Sequence, residues 1–277
     1  MRLGGPIFEE FTEGNRWMEL VAKAGYRATY CPLSPEAADA AIQSFSQAAL
    51  EADIVIAEVG AWSNPIAWDD VERKKAIEHC QRSLSLADRV GANCCVNIAG
   101  SRGEKWDGPD PENLSGDTFA LIVDTIRAII DAVKPTRTAY ALETMPWIFP
   151  HSVSAYLDLI KAIDRPAFGV HLDVVNLVLS PEIYFDNRHL IAEAIEKLGP
   201  HIRSIHAKDI ILRENLTVHL DETPPGLGGI DYHAYFRLAK ALPDDLPIML
   251  EHLSTPEEYT LAADHLRKVA AEVGMNL

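Results

Sequence analysis

The chain has 277 residues, 48% of them hydrophobic, and a formal net charge of −16 at pH 7. Nucleic-acid-binding proteins neutralise phosphates with Lys and Arg, so this charge argues against a nucleic-acid partner. No stretch reaches the roughly 18 apolar residues of a membrane span, and the first residues do not have the pattern of a signal peptide. These features argue against a DNA or membrane-surface role, whereas a local basic group could still hold a small anionic substrate.

β-rich runs alternate with helical segments along the whole chain. The runs lie near residues 2–8, 26–31, 53–59, 92–98, 138–144, 167–174, 202–208 and 247–252. Strands that are apolar on both faces and separated by helices are typical of a parallel sheet covered by helices. Eight such units predict a (β/α)8 TIM barrel, a fold that typically needs about 250 residues. We therefore expect one domain over residues 1–277.

Two connections are longer than the helices that follow them require, at residues 101–115 and 209–231. Both follow a strand and precede a helix, which places them on the C-terminal face, where barrel enzymes keep their active sites. Their Gly and Pro content predicts structureless loops that fold closely over a ligand.

The four cysteines bear on the cellular compartment. Cys94 and Cys95 are adjacent and cannot pair, and no CxxC spacing links them with Cys31 or Cys80. This pattern favours reduced core thiols and a cytoplasmic protein.

Four segments provide the strongest functional signal. TAYALETM, AFGVHLDVVN, IRSIHAKDI and LPIMLEH are apolar runs that lead to Glu143, Asp173, His206 and Glu251. Intervals of 30, 33 and 45 residues separate these four side chains, and a strand–helix unit takes roughly 30 residues or more. In a parallel barrel the four side chains would meet at one end. Carboxylates held that close together repel each other unless a proton or a cation lies between them.

Three carboxylates and one imidazole therefore predict a divalent-metal site. Because the donors are mostly oxygen and no thiolate is present, Mn²⁺ is the preferred ion, and Zn²⁺, Co²⁺ and Mg²⁺ remain open. Open coordination positions would serve two substrate oxygens, which is a catalytic arrangement.

Further side chains are candidates for substrate contacts. Lys208 and His171 each lie two residues from a ligand, so both should point toward the site. Lys208 could neutralise an oxyanion or form a rim salt bridge, and His171 could support a ligand or pack in the core. Trp62 and Trp106 follow strands and could stack on a sugar face or form the wall. Asn176 could hydrogen-bond a hydroxyl group.

The chain resembles the sugar phosphate isomerase/epimerase family of xylose-isomerase-like TIM barrels, which is related to tagatose 3-epimerase, inosose isomerase and dehydratase, and hydroxypyruvate isomerase. The resemblance spans nearly the whole chain. It depends on Ala-Leu-Glu143, His-Leu-Asp173, Ile-His206-Ala-Lys208-Asp209, the Pro-Gly-Leu-Gly-Gly-Ile-Asp-Tyr segment that ends at Tyr232, and Leu-Glu251-His252.

The resemblance implies that Glu143, Asp173, His206 and Glu251 bind the metal and that the two glutamates also exchange a substrate proton. It further implies an arginine after the histidine ligand, for which Arg213 is the candidate. Ketose 3-epimerases carry a glutamate six residues after the first ligand and a histidine three residues after the aspartate. Phe149 and Asn176 occupy those positions here.

The expected function is metal-dependent isomerisation or epimerisation of a sugar, keto-inositol or related polyhydroxy carbonyl compound through an enediolate. The alternatives are an inosose-type dehydratase, an endonuclease-IV-like phosphodiesterase and a non-catalytic sugar-binding barrel. The expected partner is a small sugar-like substrate, with no membrane and no nucleic acid, and a homo-oligomer is possible for this group.

Overall fold

Eight parallel strands close into a barrel in the computed structural model, which describes residues 1–277. Numbered along the chain with every strand counted, they are β1 (Arg2–Gly5), β2 (Ala28–Tyr30), β3 (Val55–Gly60), β4 (Cys94–Asn97), β5 (Ala139–Glu143), β6 (Phe168–Asp173), β7 (Ile202–Ala207) and β10 (Pro247–Leu250). Neighbours follow chain order around the barrel, and β10 closes it between β7 and β1. The predicted (β/α)8 fold is confirmed.

Nine α-helices surround or flank the barrel. They are α1 (Gly14–Lys23), α2 (Asp39–Glu51), α3 (Asp70–Val90), α4 (Gly116–Val133), α5 (Val153–Ile163), α6 (Pro181–Phe185), α7 (Asn187–Leu198), α8 (Tyr232–Ala239) and α9 (Pro256–Glu272). Several begin at a side chain that accepts hydrogen bonds from free backbone N–H groups, such as Asp69 before α3 and Ser152 before α5. A full capping box, formed by Thr255 and Glu258, begins α9.

The main hydrophobic core lies between the barrel and the helices. Large buried side chains from both layers form it, among them Trp17, Tyr156 and Phe236 from helices and Leu142 from β5. Two small apolar clusters consist only of strand residues, as expected for side chains inside a barrel: Ala28, Ala57 and Met249, and Cys94, Val96 and Ala141. No helix combines the length and apolar character needed to cross a membrane.

The second long connection differs from its prediction. Residues 209–231 contain an antiparallel hairpin of β8 (Asp209–Arg213) and β9 (His219–Thr223) and are not structureless. The alternation of Leu216, Val218 and Leu220 with polar residues is the period-two pattern of a strand, and it was the available signal. The hairpin leaves the barrel directly after β7 and lies on its C-terminal side.

Asp209 anchors this hairpin and the glycine-rich turn after it. Its carboxylate accepts N–H hydrogen bonds from four backbone groups, those of Ile210, Gly226, Gly228 and Ile230, over 2.9–3.1 Å. A Cβ at Gly228 would lie 2.3 Å from the Asp209 carboxylate, and Gly226 has a φ of +95°. Both positions therefore require glycine. The buried Asp209 carboxylate therefore holds the start of the hairpin and the glycine-rich turn together on the C-terminal side of the barrel.

Candidate metal centre and substrate cleft

The structure brings the four predicted ligands together. One donor atom from each of Glu143, Asp173, His206 and Glu251 lies within 4.8 Å of all the others. The side chains come from β5, β6, β7 and the residue after β10, which are consecutive neighbours around the barrel. Asp173 and His206 are direct partners in the register between β6 and β7. The two glutamates therefore stand at opposite ends of a four-strand arc.

The cluster is short of positive charge. Lys208 Nζ lies 2.8 Å from Asp173 Oδ2 and 3.6 Å from Glu143 Oε1, and it also contacts Glu251 Oε1. Three carboxylates and one ammonium give a net charge of −2 when His206 is neutral. A divalent cation would cancel that charge.

The pKa shifts of Asp173 and Lys208 reflect this excess of carboxylates. Burial would lower the pKa of His206, but Glu251, Glu58 and Glu143 raise it well above its ordinary value, so His206 must lose a proton to bind a metal. Burial, together with Glu143 and Glu251, raises the pKa of Asp173 to about 6 despite the contact with Lys208. Burial alone would lower the pKa of Lys208, but the surrounding carboxylates raise it well above its ordinary value. Lys208 thus stays charged and still does not compensate Asp173. Three acids share one ammonium, so the carboxylates remain in excess.

The hydrogen bonding of the carboxylate oxygens also leaves lone pairs free for a metal ion. Asp173 Oδ2 and Glu251 Oε1 are buried and accept no hydrogen bond of suitable geometry, although Lys208 Nζ is close to both. One ammonium does not neutralise three carboxylates, and buried charge that is left unneutralised is costly. An ion that needs only lone pairs suits these oxygens, and hard oxygen donors with one imidazole suit Mn²⁺, Mg²⁺ or a related ion.

A second polar layer lies directly beneath the four ligands. Glu58 of β3 is 2% exposed, and its Oε1 lies 2.9 Å from His171 Nε2. Ser204 Oγ donates a hydrogen bond to the same oxygen. Glu58 Oε2 faces His206 Nε2 over 3.4 Å. Burial would raise the pKa of Glu58, but His171 and His206 lower it below its ordinary value.

A cleft of about 460 Å³ opens above the ligands. Glu143, Lys208 and Glu251 form its floor, and three tryptophans contribute to its lining: Trp62, Trp106 and Trp147. The tryptophans are 37–45% exposed, so their rings are accessible to a ligand.

Four of the six predicted substrate residues line this cleft, namely Trp62, Trp106, Asn176 and Lys208. Asn176 Nδ2 donates a 3.1 Å hydrogen bond to Glu143 Oε1, so it also orients a ligand. His171 lies in the layer below and contacts Glu58, so it supports the ligands from beneath.

Arg213 is not brought to the cleft. It lies at the end of β8 and pairs with Asp221 of β9 over 2.9 Å, because the hairpin carries it away from the barrel axis. Phe149, the departure from the ketose epimerase pattern, packs against Phe119 and His151 outside the cleft.

Sequence reasoning missed several cleft or support residues, among them His252, Glu222 and Glu58. His252 lines the cleft although strict alternation would turn it away from Glu251, because its φ of +57° breaks the strand geometry. Glu222 of β9 lies 3.1 Å from His252 and 3.8 Å from Lys208, so the hairpin reaches the site. Glu58 lies on β3, and a charged residue within the apolar run VIAEVG was a usable signal.

The model of the xylose isomerase-like TIM barrel family matches residues 17–269. The chain belongs to the xylose isomerase-like TIM barrel family. No curated protein sequence matches it.

Solved structures share the fold of this family member at low sequence identity. D-psicose 3-epimerase with D-tagatose from Clostridium cellulolyticum H10 is 15% identical, with a TM-score of 0.70 over 98% of this chain and 99% of that one. The probable 3-DHS dehydratase from Bacillus anthracis is 16% identical, with a TM-score of 0.69 over 98% and 99%. A family barrel from Mycobacterium smegmatis in complex with magnesium is 15% identical, with a TM-score of 0.68 over 99% and 98%.

Proposed function

We propose that this chain, as a single domain, is a divalent-metal-dependent isomerase or epimerase that moves a proton next to the carbonyl of a sugar-like substrate. The observation that carries the proposal is the convergence of Glu143, Asp173, His206 and Glu251 beneath an open cleft. An epimerase, a dehydratase and a magnesium complex among the structural relatives fit this chemistry. At these identities they support the fold alone.

The four clustered side chains would hold the metal, and we propose Mn²⁺ as the preferred ion. When bound, it would act as a Lewis acid that makes the proton next to a carbonyl more acidic. Glu143 and Glu251 would then remove the proton and return it, because they lie at the two ends of the ligand arc. A substrate lying between them would present one face to each carboxylate.

Lys208 would stabilise the negative charge that develops on the substrate oxygen in the enediolate. Lys208 is 3% exposed and lies at the floor of the cleft. Preorganised positive charge in such a site is worth more than in water. Asn176 would keep Glu143 oriented through the hydrogen bond already described.

The charges of the cleft favour an uncharged substrate over a sugar phosphate. Its two cations are already paired, Lys208 with the ligand carboxylates and Lys105 with Asp107 over 3.0 Å. Glu222 adds a further carboxylate. A phosphate would have no free cation to bind, whereas tryptophan faces suit the C–H face of a neutral sugar.

The test is metal analysis of the purified protein, followed by incubation with free ketoses and inososes in D₂O. The proposal predicts one divalent ion per chain, and deuterium at the carbon next to the carbonyl of a substrate. Conversion with loss of water would instead identify a dehydratase, since elimination starts from the same carbanion. Binding of a sugar with no exchange would identify a non-catalytic barrel. Cleavage of a phosphodiester would contradict the proposal.

Replacement of Trp62 or Trp106 by Ala is expected to raise KM about 3–10-fold, because loss of one aromatic contact costs roughly 0.5–1.5 kcal/mol. The value of kcat should change little, because stacking holds substrate and transition state alike. Steady-state kinetics on the best substrate measures both. Trp68→Ala is the matched control, because Trp68 is exposed but does not line the cleft. Equal KM values for all three variants would remove the tryptophans from the binding site.

Metal affinity should fall on acidification below about pH 6, the value to which the pKa of Asp173 is raised in the metal-free protein. A metal competes with the proton for this carboxylate, so affinity should fall about tenfold per pH unit below that value. The metal-free protein itself should lose some stability as pH rises through the same value, since the folded state favours protonated Asp173. Calorimetric titration with Mn²⁺ from pH 5 to 8 checks this, and a pH-independent affinity would contradict it.

A further inference from the structure

Glu58 is a neighbour of the proposed ligand His206 and has no part in the proposed reaction. It lies on β3, outside the four-strand arc that supplies the ligands, and its side chain crosses the barrel interior to reach two histidines. An isolated ionised carboxylate is very costly to bury. Glu58 is 2% exposed, and its carboxylate is flanked by three polar side chains: His171, Ser204 and His206. These neighbours offset the cost of burying its charge.

The two nitrogens of His206 face different groups. Nδ1 points into the ligand cluster, 2.8 Å from Glu251 Oε1 and 3.3 Å from Glu143 Oε1. Nε2 points down toward Glu58 Oε2 over 3.4 Å and has no hydrogen-bond partner. A neutral imidazole carries a proton on one nitrogen only, and only the other can bind a metal. Only Nδ1 faces the other three ligands. His206 can therefore join them in binding a metal only if its proton lies on Nε2.

The two carboxylate oxygens of Glu58 contact different side chains. Oε1 receives the contacts of His171 and Ser204, whereas Oε2 is the oxygen that faces His206. An ionised carboxylate only accepts hydrogen bonds, so it can stabilise an N–H at Nε2 and never a lone pair there. His171 and Ser204 hold the carboxylate in place and leave Oε2 for His206.

On these grounds, and resting on the proposed metal function, we propose that Glu58 is a positioning residue that fixes His206 in the Nε2-protonated form, so that Nδ1 binds the metal. Glu58 touches neither substrate nor metal in this role. A carboxylate behind a metal-bound histidine orients the ring and raises its basicity. Strand β3 thereby takes part in a site whose ligands all come from other strands.

The test compares metal binding by Glu58→Gln and Ser204→Ala with that of the unaltered protein. A neutral amide can present either an oxygen or an N–H to Nε2, so Glu58→Gln should weaken Mn²⁺ binding about 10–100-fold in calorimetric titration. Ser204→Ala removes a neighbour of Oε1 but leaves Oε2 and its charge, so its affinity should stay within about threefold. Thermal unfolding of each metal-free variant reports whether the fold is retained.

A second measurement reads the tautomer directly and needs no variant. Long-range ¹H–¹⁵N spectra of the unaltered Zn²⁺-loaded protein should show His206 with a protonated Nε2 and a metal-bound Nδ1. Metal at Nε2, or an unchanged affinity in folded Glu58→Gln, would overturn the proposal. Two metal equivalents in the unaltered protein and one in Glu58→Gln would also overturn it, since Glu58 would then be a ligand. Absence of metal binding in the unaltered protein would refute the proposed function itself.

If Glu58→Gln does not fold, Glu58→Asp tests the same point, because it keeps the charge and withdraws the carboxylate by one methylene group. Its metal affinity should fall while its fold is retained, and an affinity equal to that of the unaltered protein would overturn the proposal.

Discussion

Replacement of Glu143 or Glu251 by Gln should lower turnover by about 10²–10⁴, the usual contribution of a general acid or base. Each glutamine keeps the shape of the side chain but cannot accept the substrate proton. Metal affinity should also fall, because each position loses an anionic ligand, so the assays need saturating Mn²⁺. The kcat measured with the best substrate, together with the metal content of each variant, checks the prediction.

The positions of the two glutamates sharpen this test. If they serve opposite faces of the substrate, each single variant should still exchange solvent deuterium into one epimer through the remaining glutamate, without converting it. Glu196→Gln is the matched control, since Glu196 is exposed on α7, and its turnover should be unchanged. Near-normal kcat in both site variants would exclude the two-carboxylate mechanism.

Lys208→Met should destabilise the metal-free protein by about 3–5 kcal/mol, because it leaves buried carboxylates without their ammonium. The change corresponds to roughly 10 °C in Tm for a chain of this size. Saturating Mn²⁺ should restore most of the loss, since the cation supplies the missing charge. Mn²⁺ affinity should rise about tenfold or more, because the nearby ammonium no longer repels the ion.

Thermal unfolding with and without Mn²⁺ measures both effects, and catalytic assays should show a large loss of kcat in the same variant. The control is Lys197→Met on α7, which removes an exposed pair with Glu193 and should leave Tm unchanged. A Lys208→Met protein with unchanged metal-free stability would contradict the charge balance of the cluster.

The sequence was sufficient to predict the fold and the four candidate ligands. Alternating strands and helices leave few closed arrangements, and the carboxyl ends of parallel strands meet on one face. Any side chain that ends such a strand is therefore placed without knowledge of the loops, which is why Glu143, Asp173 and His206 were found. Whether they bind a metal remains a prediction.

The residues around the ligands were harder to predict. Glu58 belongs to a distant strand, and only barrel closure shows that it meets His171 and His206. His252 adopts a left-handed conformation that no alternation rule anticipates. Arg213 was the candidate by resemblance alone, but it lies on the hairpin and pairs with Asp221 outside the cleft.

The hairpin of residues 209–223 is attached to the barrel at its base, away from its tip. It follows Lys208 directly, and the Asp209 carboxylate accepts main-chain hydrogen bonds from Ile210 in its first strand and from Gly226, Gly228 and Ile230 in the turn after it. Its tip, including the fully exposed Leu216, can therefore vary in length and sequence while the ligand arc stays unchanged. Exchange of the tip between barrels of the same architecture is therefore expected to leave the four clustered side chains in place.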